Sequence, residues 1–247
     1  MDRDYFDKYY QLERTHWWFL VRSKILRGIL KSRMNNQKSL SILNVGSATG
    51  GTSQMLEEFG EVISVEYDRL CFEFARQTLK LAIINASILD LPFENERFDL
   101  VCAFDVIEHV EDDAKAVSEM YRVCKPTGYL FITVPAFQSI WSTHDKINHH
   151  YRRYSIKDIL KLLDGKKGEM EKIKYFNSIL FIPIFIVRKI QSLFASKKPG
   201  LKKSDFELIK SPIINKLFYS IFNLERIIFK RISFPFGVSI LALWKKK

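Results

Sequence analysis

Hydrophobic positions recur along this chain with two periods, and their alternation predicts a layered α/β protein. Leu40, Ile42, Leu43 and Val45 form a short apolar run that stops at Gly46. Val62, Ile63 and Val65 form a second run that ends at Glu66, with a helix between the two that reaches about Phe59. A second helix over Leu70 to Leu79 and a third strand over Ala82 to Ala86 follow. Phe98 to Phe104 is almost continuously apolar, as a strand buried on both faces should be. Asp113 to Cys124 reads as a helix, Lys125-Pro-Thr-Gly128 as a turn and Tyr129 to Val134 as a fifth strand. Strand and helix in strict alternation is the pattern of a doubly wound, mostly parallel sheet.

The flanks differ from this middle. Residues 5 to 33 repeat apolar side chains at helical spacing (Tyr5, Tyr9, Leu12, then Trp18, Val21, Ile25, Ile29) and predict one or two helices. Trp17 and Trp18 are adjacent and cannot both face one core from a single helix, so one should serve a pocket or a partner. Two readings fit: a helix packed on the sheet edge, or an aromatic lid over a ligand with Arg22 in reach of a carboxylate. Met34 to Ser39 is a polar linker. Farther on, Ser155 to Leu163 is a helix with Ser155 as N-cap and Asp158 completing a capping-box pair. Glu169 to Phe176 and Val238 to Trp244 read as strands.

A length of 247 residues, 47% of them hydrophobic, suits one α/β domain with additions. Charge is uneven. Residues 1 to 160 hold 20 Lys+Arg against 22 Asp+Glu, whereas residues 161 to 247 hold 19 against 6, so the excess of +11 belongs to the last third. Cys71, Cys102 and Cys124 have no metal or redox spacing and fall in apolar patterns, as reduced core residues of a cytoplasmic protein would. The N-terminus is charged and lacks the apolar stretch of a signal peptide.

Candidate chemistry concentrates where strand runs end. Gly46-Ser-Ala48-Thr-Gly50 follows the first strand and opens a helix near Thr49, so small residues let the backbone approach a ligand beside free helix N–H groups. Glu66, twenty residues past Gly46, can accept two ribose hydroxyls. A tight turn in an ordinary α/β protein would look the same. Asp105-Val-Ile-Glu108-His109 closes the fourth strand and should face the ligand crevice.

Asn44-Val-Gly46-Ser-Ala-Thr-Gly50, Val65-Glu66, Leu91-Pro-Phe93, Phe98-Asp-Leu-Val101, Glu108-His-Val110 and Lys125-Pro-Thr-Gly128, in this order and spacing, resemble the class I S-adenosylmethionine-dependent methyltransferases over residues 40 to 135. His16-Trp-Trp-Phe19, Trp141-Ser-Thr-His-Asp145, His150-Tyr-Arg-Arg-Tyr154 and Pro235-Phe-Gly237 resemble a bacterial and archaeal subgroup associated with cell-surface glycan or lipid-linked sugar pathways. The resemblance implies a seven-stranded Rossmann-like sheet. Its last two strands, 169–176 and 238–244, would form an antiparallel edge pair, leaving residues 177 to 231 as a helical insertion. It divides the single domain into an N-terminal helical lid (1–39), a cofactor core (40–135) and an acceptor-side loop (136–154).

The resemblance also implies roles. Gly46, Ser47, Ala48 and Gly50 would form the cofactor loop, Glu66 and Tyr67 would flank the ribose, Ser87 and Ile88 the adenine, and Asp105 the sulfonium. Three residues depart from the pattern: Asn44 stands for an acid, Ala48 for a glycine and Ser87 for an aspartate. Loss of that aspartate acceptor should weaken binding by about 1–2 kcal/mol.

The 136–154 loop is rich in titratable groups. Methyl transfer to a hydroxyl needs an unprotonated nucleophile, and His144 and His150, with Asp145, are the expected catalytic residues. Loop packing is the plainer reading. The spacing of these groups fits no common metal site, so no metal is expected. Arg152 and Arg153 suit an anionic acceptor such as a phosphate-bearing sugar or lipid.

In the insertion, Ile179 to Val187 is an apolar run broken by Pro183 and ended by Arg188-Lys189. Lys197-Lys-Pro-Gly200 marks a loop before a second apolar helix, Ile213 to Phe229. Neither run reaches the roughly 20 residues a membrane span needs. Basic residues beside apolar stripes suit the anionic inner face of a membrane instead. Three other functions compete: a nicotinamide oxidoreductase, since Gly46-x-Ala48-x-x-Gly51 with Glu66 also meets the dinucleotide fingerprint; a nucleic-acid methyltransferase, suggested by the basic tail; and an inactive methyltransferase-like binding protein. The block order after residue 85 disfavours the first, and the lack of a proline pair after strand four the second. The expected function is methyl transfer from S-adenosylmethionine to a small-molecule, sugar or lipid-linked acceptor, with nucleic acid not a partner and the oligomeric state open.

Overall fold

A computed structural model describes residues 3–34, 39–194, 211–228 and 232–247. The Lys197–Gly200 loop and most of the Met34–Ser39 linker lie outside these residues. Seven strands, β1 (Leu40–Val45), β2 (Gly60–Glu66), β3 (Ile83–Asn85), β4 (Phe98–Phe104), β5 (Cys124–Pro135), β6 (Gly168–Phe176) and β7 (Ser239–Lys246), form one sheet in the order β3-β2-β1-β4-β5-β7-β6. β1 to β5 run parallel; β7 is antiparallel to both β5 and β6. The antiparallel edge separates this sheet from the dinucleotide fold, whose order continues 3-2-1-4-5-6.

Alternation along each strand sorts side chains into two cores. In β4, Phe98, Val101 and Ala103 join one apolar cluster while Leu100, Cys102 and Phe104 join the other. β7 divides likewise, Ile240, Ala242 and Trp244 against Leu241 and Leu243. The first core is closed by α5 (Asp113–Val123) and α7 (Ile156–Leu162), the second by α2 (Trp17–Met34), α3 (Gly51–Leu56) and the insertion. Ser155 and Asp158 form the expected capping box on α7. The three cysteines are buried and free.

Three local expectations change, and the N-terminal one is narrowed. The N-terminal segment is two helices, α1 (Arg3–Thr15) and α2, parted at His16. An asparagine side chain causes the break: Trp17 N–H donates to Asn215 Oδ1 (2.9 Å) and Asn215 Nδ2 donates to Thr15 O (3.0 Å). α3 starts at Gly51 rather than Thr49, because Gly50 at φ +84° is left-handed. β5 begins at Cys124, its first residues paired across a register shift and pinned by Lys125 Nζ on Asp99 Oδ1 (2.9 Å). Residues 136–154 contain α6 (Thr143–Ile147) and a single 3-10 turn, so they are not a plain loop.

The insertion supplies α8 (Phe181–Phe194) and α9 (Pro212–Ile228). Pro183 does not break α8; it lies in the first turn, where its missing N–H has no helical acceptor. α9 packs on α2 through Phe222, fully buried between Trp17 (centroids 5.7 Å) and Phe176 (6.4 Å). Such burial stabilises by about 2–3 kcal/mol. Buried Glu225 fixes the entry to the insertion by accepting from Ser178 N and Ile179 N, each at 2.8 Å. The outer faces stay apolar and open: Ile182 is 58% exposed, Ile213 81% and Leu224 54%. Among the described residues no helix is long and apolar enough to cross a membrane.

Candidate functional site

The carboxyl ends of the central strands open onto a cavity of about 400 Å³, walled by α1, α2, α8 and α9. Gly46, just past β1, has φ +72°, and a Cβ there would lie 2.4 Å from Val106 Cγ2. Only glycine fits. Ser47 is buried, and its hydroxyl has no partner among the described residues although the residue lines the cavity. Ala48 N–H donates to Glu66 Oε2 (2.8 Å) and Asp68 N–H to Glu66 Oε1 (2.9 Å). Burial pushes the Glu66 carboxyl up against the pull of these donors. Glu66 thus braces the loop from behind.

Of the twelve residues expected at the site, Gly46, Ser47, Ala48, Asp105, His144 and His150 line the cavity. Asp145 stands directly behind His150. Glu66, Tyr67, Ser87 and Ile88 do not line it: Tyr67 is 78% exposed, Ile88 is core, and the Ser87 hydroxyl accepts from Leu89 N (3.1 Å) within its own turn. Gly50 is a packing residue, since a Cβ would meet Leu79 Cδ1 at 2.4 Å. Asn44 ties β1 to α3, donating to Thr52 Oγ1 (3.0 Å) and Ser53 Oγ (2.8 Å).

At the end of β4, Asp105 takes φ +57° and pairs with Arg22 Nη2 at 2.5 Å. Thr133 Oγ1 donates to the same carboxylate oxygen (3.2 Å). The guanidinium lies over the Trp18 and Phe104 rings. The two tryptophans divide their work: Trp17 packs on Phe218 and Phe222, and Trp18 covers Arg22.

Across the cavity, α6 is capped by Ser142 and Asp145. Asp145 is fully buried and accepts from Ser142 N (2.8 Å), His150 Nδ1 (2.9 Å) and Arg153 Nε (2.7 Å). Burial would raise its carboxyl, but the His150 and Arg153 hydrogen bonds, with the charges of Arg153 and Arg188, hold it well below the usual range. A carboxylate only accepts, so His150 carries its proton on Nδ1 and keeps Nε2 as the other, basic nitrogen. The arginine pair splits: Arg153 points inward, while Arg152 binds Asp113 (2.8 Å) on the outside. His149 is exposed.

Several cavity residues were given no role by sequence reasoning. Glu13 of α1 accepts from Thr49 Oγ1 and from Gly51 N (3.2 Å), latching α1 to the loop. His16, Glu108, His109, Asn148, Asn177 and Arg188 also line the wall. The Glu108-His109 pair was expected to face the crevice from the end of β4, and His16 stood in the His16-Trp-Trp-Phe19 element; Glu13, Asn148, Asn177 and Arg188 reach the cavity through tertiary packing.

Residues 43–132 match the family model described as a methyltransferase domain. The fold is that of the class I S-adenosylmethionine-dependent methyltransferases. A demethylmenaquinone methyltransferase of Staphylococcus epidermidis is 28% identical over 50% of this chain and 57% of its own length. An uncharacterized protein of Methanocaldococcus jannaschii is 30% identical over 63% of this chain and 65% of its own. The chain thus spans less than two thirds of the length of either curated relative. A solved SAM-dependent methyltransferase of Thermotoga maritima superposes with a TM-score of 0.61 over 99% of this chain and 96% of that one, at 15% identity, a likeness of fold. The donor that the matched family model implies suits two features of the cavity wall, the backbone opened by Gly46 and the unpartnered Ser47 hydroxyl.

Burial holds the His16 imidazole down to about 4, so the folded protein keeps it neutral. Its folded pKa lies below the unfolded one, so its contribution is complete above about pH 6.5 and is lost as pH falls toward 4. Urea denaturation should show the wild type losing roughly 2–3 kcal/mol more between pH 7 and pH 4 than His16→Gln. Equal losses would mean that His16 protonates freely in the folded chain.

Proposed function

We propose that this protein transfers a methyl group from S-adenosylmethionine to an oxygen of an anionic, amphiphilic small molecule or lipid-linked sugar. One observation carries the reading: a single cavity joins the Gly46–Ala48 loop to the Asp145-buttressed His150. Bound S-adenosylmethionine supplies an electrophilic methyl group. Gly46, Ser47 and Ala48 would hold its amino-acid end, Glu66 its ribose, Ser87 and Ile88 its adenine, and Asp105 would lie beside the sulfonium. α1 and α2 act as the lid, fastened by Glu13 and by the Arg22–Asp105 pair, and exclude water. His150 presents Nε2 to the acceptor hydroxyl and takes its proton, while Asp145 orients the ring and stabilises the charge it gains. His144, on the same wall, positions the acceptor. Arg153 and Arg188 supply positive charge behind it.

Isothermal titration calorimetry tests the donor half. Glu66→Gln should weaken S-adenosylmethionine binding about ten- to a hundredfold, because a charged acceptor of two hydroxyls is lost. Unchanged affinity would remove Glu66 from the site.

The acceptor half rests on turnover. His150→Gln should lower kcat by about 10²- to 10⁴-fold and flatten its pH dependence, with S-adenosylmethionine affinity unchanged. Product detection by mass spectrometry of extracts given enzyme and donor supplies the acceptor. Wild-type turnover in the variant would end the assignment.

We further infer that α8 and α9 rest on an anionic membrane surface at the cytoplasmic face. Pro183, Ile184, Val187 and Ile214 of these helices line the cavity, so their open apolar outer faces continue its wall toward a lipid tail. The basic excess of residues 161–247 adds about 1 kcal/mol of attraction per charge near anionic headgroups. Protein should cosediment with phosphatidylserine-containing vesicles, less so in high salt, and not with phosphatidylcholine alone. Binding indifferent to lipid charge would refute this placement.

A further inference from the structure

The acceptor wall carries a second constellation. One side-chain oxygen of Glu108 and one ring nitrogen each of His109 and His150 lie within 4.8 Å of one another. All three residues line the cavity. Glu108 is 1% exposed, and neither of its carboxyl oxygens has a hydrogen-bond partner among the described residues. A buried polar group left this way costs about 1–3 kcal/mol, so a group so placed and facing a cavity calls for a ligand.

The two imidazoles are already oriented. His150 gives Nδ1–H to Asp145 (2.9 Å), the carboxylate–imidazole arrangement that sets the ring orientation of a metal-binding histidine. The Asn148 backbone hydrogen-bonds the His109 ring, which meets the His150 ring edge-on at 4.6 Å. Asp145 belongs to the outer shell, its oxygens being taken up by Ser142, His150 and Arg153.

We propose that Glu108, His109 and His150 bind one first-row divalent transition-metal ion, with its remaining coordination positions open to the cavity. Two imidazoles and one carboxylate suit Zn²⁺ or Mn²⁺, whereas Mg²⁺ and Ca²⁺ favour all-oxygen sets. Donors bound to one ion at about 2.0–2.2 Å sit roughly 3–3.5 Å apart, so the set closes by somewhat more than 1 Å, a shift that side-chain rotation supplies. The sequence hides this site: Glu108 and His109 are adjacent, and the third ligand lies in a different segment.

The consequence rests on the methyl-transfer reading given above. With the ion bound, His150 is a ligand and no longer the proton acceptor. The ion would acidify a coordinated acceptor hydroxyl, whose proton would pass to water; the oxygen would then form the O–CH3 bond as the sulfonium's S–CH3 bond breaks and S-adenosylhomocysteine leaves. This narrows the acceptor to one that presents a hydroxyl, or a pair of vicinal oxygens, to the ion.

Untagged full-length protein, stripped with EDTA and dialysed, should be titrated separately with Zn²⁺ and Mn²⁺ by calorimetry, with no methyl donor or acceptor present. One ion per chain should bind. His109→Ala and Glu108→Gln should each weaken binding more than about 100-fold, and His149→Ala, an exposed change outside the cluster, should leave it unchanged. His109 is itself exposed, so His109→Ala keeps the test valid if Glu108→Gln fails to fold by circular dichroism. Failure of both ions to bind, or binding indifferent to His109→Ala, would overturn the proposal. Because neither measurement uses the donor, that failure would leave methyl transfer standing. Metal binding alongside absent S-adenosylmethionine binding would instead remove the methyl-transfer reading and keep the site.

Discussion

The histidine-bearing wall of the cavity depends on one buried charge. Asp145 sits where water does not reach, and an ionised carboxylate there is tolerable only if its lone pairs are filled by donors, at least one of them cationic. Ser142 N–H, His150 Nδ1–H and Arg153 Nε–H fill them, the first from the N-cap of α6 and the other two from the stretch that follows it. One group therefore caps α6, fixes a histidine tautomer and draws Arg153 inward to meet Ala136 O (3.1 Å). Removing any donor would leave the carboxylate underpaid and release the others, so the segment folds as a unit or not at all.

A second ion pair plays the matching part at the ends of β1 and β4. Arg22 reaches from α2 to Asp105, whose left-handed backbone costs about 1–3 kcal/mol and persists only because Thr133 O holds its N–H and the guanidinium holds its side chain. Glu13 adds a latch one helix earlier. The two N-terminal helices are thus joined to the ends of β1 and β4 by charge, and to the insertion by the aromatic contacts of Trp17. Cavity shape, lid position and insertion position are mutually dependent.

The strands were legible because burial on both faces leaves long apolar runs whose ends are marked by glycine or acids: Phe98–Phe104 was read to the residue. The antiparallel edge pair came through resemblance, since two strands separated by an insertion carry no local sign of pairing. What escaped were features made by distant side chains. Nothing near Thr15 shows that Asn215, 200 residues away, will interrupt the helix. Nothing near His144 shows that Ser142 and Asp145 will cap a short helix until Arg153 and His150 make that burial tolerable. The Gly46 loop was legible from its small residues. The adenine side was less so, because Ser87 spends its hydroxyl on its own turn.

The charges around the cavity set what can enter it. Glu66 is engaged by backbone N–H groups, Glu13 by Thr49 and Gly51, and Asp105 by Arg22, so these acids offer little unbalanced negative charge to an incoming molecule. Burial and the nearby Asp105 push the Glu108 carboxyl well above the usual carboxylate range. Arg153 and Arg188 line the cavity with His144 and His150, and their charges act on Asp145. Glu108 can accept a cation without first breaking a hydrogen bond among the described residues. The anionic acceptor proposed above would lay its apolar tail along Ile184, Val187 and Ile214 and its charge toward Arg153 and Arg188.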